Sequence, residues 1–322
     1  MLSRVAERLY WMSRYLERSE NQARLLTVYS NLLFDLPRGA RIGWHTLLEI
    51  TGSVDDFQRS HQITDERAVI RFLLADARYP GSLLSTLVLA RENARTTREI
   101  IPAEAWEQIN NLYLVVRESA GRSVARGPRQ DLLQQVIGCC QQLTGLFEGA
   151  MSHNSGYRFI ELARSIERAD MTTRIVHAGS ANLLPDNVPE EGESAVVEPY
   201  ENLIWMSILR SSSAFQMYRQ HVQDRVNAED VVTFLLQDPL FPRSVLHCLN
   251  RLEDGLQPLP HNDRVLRDVA GALRRVGDTR VNVQSGRELT EYIDALQQEI
   301  GVIHTAIEQT WLQPMVAQSE AQ

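Results

Sequence analysis

Arginine and glutamate recur at helical spacing near the start of the chain, between Arg14 and Arg24. At 100° per residue, Arg14, Glu17 and Arg24 lie on one strip of a helix, with Arg18 and Glu20 beside it. A planar guanidinium group can bind a carboxylate or phosphate through two parallel hydrogen bonds, and neighbouring carboxylates can hold it in position. The strip is therefore a candidate anion site, or a buried ionic contact between helices.

The same charges recur when the sequence is shifted by 150 residues. The shift places Arg14 on Arg164, Glu17 on Glu167, Arg18 on Arg168, Glu20 on Asp170 and Arg24 on Arg174. An apolar stripe runs beside the charges in both segments. We infer that whatever fixes these charges acts on both copies.

Two interpretations of the charged strips stay open at the level of sequence. In the structural one, Arg14 pairs with Glu17 and Glu20 with Arg24 along the helix, and the second copy forms the same pairs. Exposed pairs of this spacing contribute only about 0.3–0.5 kcal/mol, whereas breaking a buried pair costs about 3–5 kcal/mol. In the functional interpretation, arginines converge on a peptide carboxylate or phosphate. The candidate binding residues are Arg14, Glu17, Arg18, Arg24, Arg91, Arg95, Arg164, Glu167, Arg168 and Arg174.

The remaining chemistry-bearing residues form no recognisable catalytic or metal-binding motif, so catalytic residues cannot be assigned. The glutamates of the charged strips lack the Glu-x-x-His spacing of helical di-metal sites, and we expect no bound metal. Cys139, Cys140 and Cys248 fit reduced thiols rather than a disulfide or zinc framework. The absence of lysine, of a Gly-rich phosphate loop and of a dinucleotide fingerprint predicts no cofactor.

Overall composition favours a globular protein that binds neither nucleic acid nor a membrane surface. The chain has 322 residues, 43% of them hydrophobic, and a net charge of −8. No apolar run is long enough to span a bilayer, and charged residues interrupt the N-terminal segment. A cytoplasmic location is expected.

The elements that must position the charged strips are predicted to be helices. No segment alternates with period two, and the clearest repeat, residues 72–87 against 234–249, describes a helix, an Asp-containing turn and a new helix. The second helix of each half is predicted over residues 44–57 and 203–215, which matches Phe57 with Phe215. The prediction is an all-α, tandem-duplicated helical bundle with pseudo-twofold symmetry and about five to six helices per half, in which the two charged helices pack against each other near the symmetry axis. Its repeats span residues 1–151 and 152–315, with a frayed tail at 316–322, and an acidic surface loop near Glu190 interrupts the second repeat.

Several motifs resemble the bacterial alpha-E domain family, over nearly the whole chain. They are Leu2-Ser-Arg-Val-Ala-Glu-Arg-Leu-Tyr-Trp11, Arg14-Tyr-Leu-Glu-Arg18, Arg91-Glu-Asn-Ala-Arg95, Gly156-Tyr-Arg-Phe159, Ile166-Glu-Arg-Ala169 and Phe241-Pro-Arg-Ser-Val245. The resemblance implies an association with a circularly permuted ATP-grasp ligase and a transglutaminase-like peptidase, and hence a role in peptide ligation or modification. It supplies no catalytic residue.

The resulting hypothesis is that the protein is a non-catalytic partner or substrate-binding scaffold. Its charged strips of arginine and glutamate would bind a carboxylate, a phosphate or the partner protein. One alternative is an enzyme that performs transfer or ligation on an anionic peptide-like substrate; it requires a cleft and a seam carboxylate without an ion-pair partner. A second alternative is a purely structural homodimer.

Overall fold

The computed structural model describes residues 2–36, 42–183, 200–278 and 285–313, and in these ranges all regular structure is helical. The predicted all-α class is confirmed. The helices are α1 Ser3–Asp35, α2 Trp44–Ile50, α3 Val54–Gln58, α4 Glu66–Ala75, α5 Leu83–Thr96, α6 Ala103–Ser119, α7 Arg126–Ala150, α8 Ser155–Leu183, α9 Glu201–Ser211, α10 Phe215–His221, α11 Ala228–Gln237, α12 Val245–Leu256, α13 Asp263–Asp278 and α14 Gly286–Ile307, which a π-helical turn Glu308–Leu312 extends.

The described ranges hold seven helices on each side of residue 151, rather than five or six, because the second predicted helix of each half is broken. Residues 44–57 bend at Gly52, whose φ is 63°, a conformation that costs glycine little. The bend lets the Ser53 amide donate to the Leu48 carbonyl at 2.8 Å. In the other half Ser213, with φ 55°, makes the same break.

The break also changes which residues correspond between the halves. Phe57 was matched to Phe215 by sequence, but Phe57 and Tyr218 occupy similar surroundings. Phe57 meets Phe72 edge-on, with ring centroids 5.2 Å apart, and Tyr218 meets Phe234 edge-on at 5.7 Å. The sequence match at this point was wrong by about one helical turn.

The two longest helices, α1 and α8, lie against each other at the centre of the molecule. Their apolar stripes are buried, as the periodicity predicts; Leu9 and Met12 of α1 and Leu162 of α8 are fully covered. α1 also packs against α5 and α7, whereas α8 packs against α12 and α14. The predicted packing of the two charged helices is confirmed.

Similar turns lead into α5 and α12. The amide of Ser82 donates to the Tyr79 carbonyl at 3.0 Å, and the amide of Ser244 donates to the Phe241 carbonyl at 3.0 Å. Each serine then caps its helix by accepting a hydrogen bond from an amide three residues on, at 3.1 Å. These shared contacts agree with a repeat, while the duplication, its symmetry and the two-repeat division stay predictions.

Some predictions concern residues outside the described ranges, namely the acidic loop near Glu190 and the tail at 316–322. Across the described helices, none combines the length and the apolarity that a membrane span requires.

Candidate functional site between α1 and α8

Glu17 of α1 and Glu167 of α8 are the centres of the charged contact, and each binds an arginine of the other helix. Arg18 Nε donates to Glu167 Oε1 at 2.7 Å, and Arg168 Nε donates to Glu17 Oε1 at 2.9 Å. The ion pairs therefore cross the interface reciprocally, and the charged strips of both helices face it.

The prediction that Arg14 pairs with Glu17 along one helix, and Arg164 with Glu167, is wrong. Arg14 Nε instead donates to Glu167 Oε2 at 2.5 Å, across the interface. An ion pair three residues apart on an exposed helix face stabilises by only a few tenths of a kcal/mol. Glu167 is buried at the interface, and a buried carboxylate needs a cation that is buried with it, so Glu167 binds arginines of α1.

Arg243, from the turn before α12, is a central member of the site that sequence reasoning did not select. Its guanidinium donates to Glu17 Oε1 at 2.6 Å, to Asn21 Oδ1 at 2.7 Å and to Glu20 Oε1 at 2.8 Å. The signal that could have found it is the repeated turn, in which Arg243 stands where the first copy has Gly81.

Two predicted pairs along the helices are confirmed. Arg24 Nη2 lies 2.5 Å from Glu20 Oε1, and Arg174 Nε lies 3.0 Å from Asp170 Oδ2. Together with the crossed pairs they make up three neighbouring groups of paired charges, here called the Arg/Glu cluster. Its members are Arg14, Glu17, Arg18, Glu20, Asn21, Arg24, Glu167, Arg168, Asp170, Arg174 and Arg243.

The two central carboxylates, Glu17 and Glu167, are buried and held in the charged form. Glu17 is 4% exposed and Glu167 is 1% exposed. Burial alone would raise the pKa of Glu17, but Arg168 and Arg243 hold that pKa at about 2. Burial opposes Arg14 and Arg18 in the same way at Glu167, whose pKa is also about 2. Carboxylates held this strongly in the charged form are unsuited to exchange protons near neutral pH.

The other predicted binding arginines are placed differently. Arg164 lies near the cluster, beside a cavity of about 20 Å³, and makes no hydrogen bond or ion pair within the described residues. Arg91 lies against α6, where its Nε donates to Asn110 Oδ1 at 2.7 Å. Arg95 forms an exposed pair with Glu92 at 2.7 Å. Neither Arg91 nor Arg95 has a hydrogen bond or ion pair with a cluster member among the described residues.

A cavity of about 240 Å³ opens beside Glu167, on the side of the turn that leads into α5. Its walls come from α1, α8, the α2–α3 break and that turn. Its lining residues include Arg18, Gln22, Tyr79, Gly81, Asp170 and Arg174. The cluster is therefore tightly paired at its centre and accessible at this edge.

The described ranges contain no group of three or more histidine, cysteine, aspartate or glutamate side chains arranged to hold a metal ion. His304 of α14 contacts α1, because its Nδ1 lies 2.8 Å from the hydroxyl of Tyr10. Burial and the positive charge of Arg14 lower the pKa of His304 to about 4. This ring therefore acts as an uncharged hydrogen-bond partner of α1.

Fold and site together define an all-helical protein whose two central helices are joined by crossed Glu-Arg pairs. The chain matches, over residues 1–312, the family model Alpha-E, described as a predicted alpha-helical domain with a conserved ER motif, and it belongs to that family. Two of its Glu-Arg dipeptides, Glu17-Arg18 and Glu167-Arg168, supply the crossed pairs.

Curated relatives share this region but are much longer. The uncharacterized proteins Mb2597 of Mycobacterium bovis and Rv2567 of Mycobacterium tuberculosis are each 23% identical over 278 residues. The matches cover 80% of this chain and 30% of each relative, so the chain spans less than a third of the relatives' length. No solved structure matches the chain significantly.

Proposed function

We propose that this protein is a non-catalytic binding module of a peptide-ligating or peptide-modifying system. It holds a substrate or a partner protein, such as a circularly permuted ATP-grasp ligase or a transglutaminase-like peptidase. The observation that carries the proposal is the pairing of the cluster carboxylates: Glu17, Glu20, Glu167 and Asp170 each accept from at least one arginine. The cluster is a rigid charged framework and lacks the unpaired carboxylate that the enzyme alternative requires.

The length of the relatives supports the partner part of the proposal. In both mycobacterial proteins the matching region is joined to additional sequence in the same chain. In these relatives the helical unit is therefore held next to other protein sequence, which supports a binding function.

The paired arginines change the form of the proposed binding. Arg14, Arg18 and Arg168 already donate to buried carboxylates, so an added carboxylate or phosphate would compete with existing ion pairs. Arg164, without such a pair, stays the predicted anion-binding arginine. Ligand recognition is better sought at the accessible edge of the cluster than at its centre.

Co-purification followed by an ATP-consumption assay tests the proposed function. The tagged chain is co-expressed with the ATP-grasp and transglutaminase-like proteins of its own genome, and the retained complex is assayed with and without the chain. We expect retention of a partner and a change in ATP consumption when the chain is added. Turnover of ATP or of a peptide by the purified chain alone would contradict the proposal.

A further inference from the structure

The turns before α5 and α12 share their hydrogen bonds but differ at one position that faces the Arg/Glu cluster. In the second turn, the Arg243 side chain reaches Glu17, Glu20 and Asn21 on α1. In the first turn the matching residue is Gly81, which faces α8 and lines the cavity of about 240 Å³. The cavity thus lies beside the turn on the side of α8, and the Tyr79 ring covers the point from which an arginine side chain at position 81 would start.

Hydrogen-bond acceptors at the cavity are incompletely used. Glu20 Oε1 accepts from two arginines, Arg24 and Arg243. The corresponding Asp170 accepts only from Arg174, at Oδ2, and its Oδ1 has no hydrogen bond to the part of the chain that is described.

Gln22 supplies an independent sign of a missing donor. It lines the cavity, is 3% exposed, and donates from Nε2 to the Leu73 carbonyl at 2.9 Å. Its Oε1 is buried and has no hydrogen-bond partner. A buried acceptor without a donor is unfavourable, so a ligand that uncovers this oxygen and donates to it is bound more tightly.

The balance of charge also differs by one cation. Beside Glu17 and Glu20 lie the guanidinium groups of Arg24, Arg164, Arg168 and Arg243. Beside Glu167 and Asp170, the described residues supply those of Arg14, Arg18 and Arg174. One further cation at Gly81 would make the two sides equal.

We propose that the cavity at Gly81 binds an alkylguanidinium group supplied from outside the chain, in the position that corresponds to Arg243. Asp170 Oδ1 and Gln22 Oε1 accept its N–H groups, and the ring of Tyr79 borders its alkyl part. The group belongs either to a free arginine-like molecule or to an arginine side chain of a peptide. This inference does not depend on peptide ligation or on an ATP-grasp partner.

Isothermal titration calorimetry on the full, purified chain tests the ligand chemistry directly. The probes are agmatine for the free molecule, N-acetyl-arginine amide for the peptide side chain, and N-acetyl-citrulline amide as the uncharged analogue of matching shape. We expect at least one guanidinium probe to bind, and the citrulline probe to bind about tenfold or more weakly because the charged hydrogen bonds are lost.

The comparison between probes identifies the source. Binding of agmatine without the amide assigns a small-molecule ligand, and binding of the amide assigns a peptide arginine. Equal binding of the arginine and citrulline amides, or no binding of either guanidinium probe, would overturn the proposal. The proposal would also be overturned if neither guanidinium probe binds and the chain instead binds acetate or phosphate, with an affinity that Asp170→Asn does not change.

Filling the cavity from within gives a second test. A Cβ at position 81 would lie 2.5 Å from both Cζ and the hydroxyl oxygen of Tyr79, so the ring must move to admit an arginine. We combine Gly81→Arg with Tyr79→Phe, which removes the hydroxyl and gives the residues of the Phe241-Pro242-Arg243 turn. We expect the double variant to lose probe binding. The reference for this loss is Tyr79→Phe alone, which separates removal of the hydroxyl from filling of the cavity. Gly127→Arg should bind the probe as the wild type does, because it adds the same charge at an exposed position with no atom near its Cβ.

Asp170→Asn keeps the test valid if the double variant does not fold. The substitution preserves shape and removes the acceptor charge, so probe affinity should fall about tenfold or more while the circular dichroism spectrum is retained. Unchanged affinity of folded Asp170→Asn for the probe would reject the assigned acceptor and hence the proposal. A negative result here leaves the co-purification test of the proposed function unaffected.

Discussion

At the scale of single residues, the buried carboxylates stay charged because arginine side chains bind them. Glu167 is almost fully covered and accepts hydrogen bonds from two guanidinium groups. Removing a buried carboxylate strands the cations that it neutralises, which is more costly than losing an exposed pair. The charge at position 167 should therefore matter more than that of any single arginine around it.

Replacement of Glu167 tests this expectation. Glu167→Gln should lower the free energy of unfolding by about 3–5 kcal/mol, because Arg14 and Arg18 lose their counter-charge. Arg18→Met should cost less, since its side chain is 31% exposed. The double variant should be less destabilised than the sum of the singles. Urea unfolding measures all three, and a loss below about 1 kcal/mol for Glu167→Gln would show that the Arg/Glu cluster does not stabilise the fold.

The cysteines permit a second measurement at this scale. All three are free, and burial raises the pKa of Cys139 to about 11 and that of Cys248 to about 12. Because the thiolate is the reactive form, an aromatic disulfide reagent at pH 8 should modify the native protein slowly. Three equivalents should react quickly after unfolding in guanidinium chloride. Rapid reaction of Cys140 or Cys248 in the native protein would contradict their burial.

At the scale of elements, short breaks decide how the helices deliver side chains to the centre. The Gly52 break separates α2 from α3 and lies against Arg174. The corresponding break at Ser213 uses a residue for which a positive φ is unfavourable. The backbone strain at the bend is therefore lower at Gly52 than at Ser213.

Substitutions at the two breaks should change stability in opposite directions. Gly52→Ala should destabilise by about 1–2 kcal/mol, because alanine resists the left-handed conformation and its Cβ would lie 2.9 Å from Arg174 Nη1. Ser213→Gly relieves strain without adding atoms and should be neutral or stabilising by under about 1 kcal/mol. Thermal unfolding compares the pair. Equal effects at both positions would show that backbone conformation does not control the breaks.

At the scale of the whole molecule, the Arg/Glu cluster lies where α1, with its neighbours α5 and α7, meets α8, with α12 and α14. Ion pairs at such a junction have strict geometric requirements, and an apolar contact would tolerate sliding more readily. We infer that the cluster fixes the alignment of the two central helices, a role documented for buried polar groups in other helical assemblies.

Acid should weaken the stabilising contacts of this junction. Glu17 and Glu167 have a pKa of about 2 in the folded protein, against 4.5 ordinarily, so their stabilising effect is complete above about pH 4.5 and lost progressively towards pH 2. His304 has a pKa of about 4 in the folded protein, against 6.5 ordinarily, so the unfolded state binds its proton first as the pH falls. The free energy of unfolding therefore also decreases between about pH 6.5 and pH 4.

Urea unfolding between pH 7 and pH 3 measures this dependence. We expect the free energy of unfolding to fall as the pH falls, with a smaller slope below pH 4.5 in Glu167→Gln, which has one titrating carboxylate fewer. The same slope in the wild type and the variant would show that Glu167 does not titrate differently in the folded and unfolded states.

The repeat of the charged strip at a shift of 150 residues favoured the contact between α1 and α8. Local periodicity in the sequence was sufficient to predict the all-α class, the buried stripes of α1 and α8, and the pairs Glu20–Arg24 and Asp170–Arg174. Each of these depends on spacing along one helix, which a sequence states directly. Only the tertiary structure decided that Arg14 binds Glu167, that Arg243 completes the site, and that a cavity lies beside Gly81. Those features depend on which side chains meet across an interface and on how deeply each is buried, and neither follows from spacing within one segment.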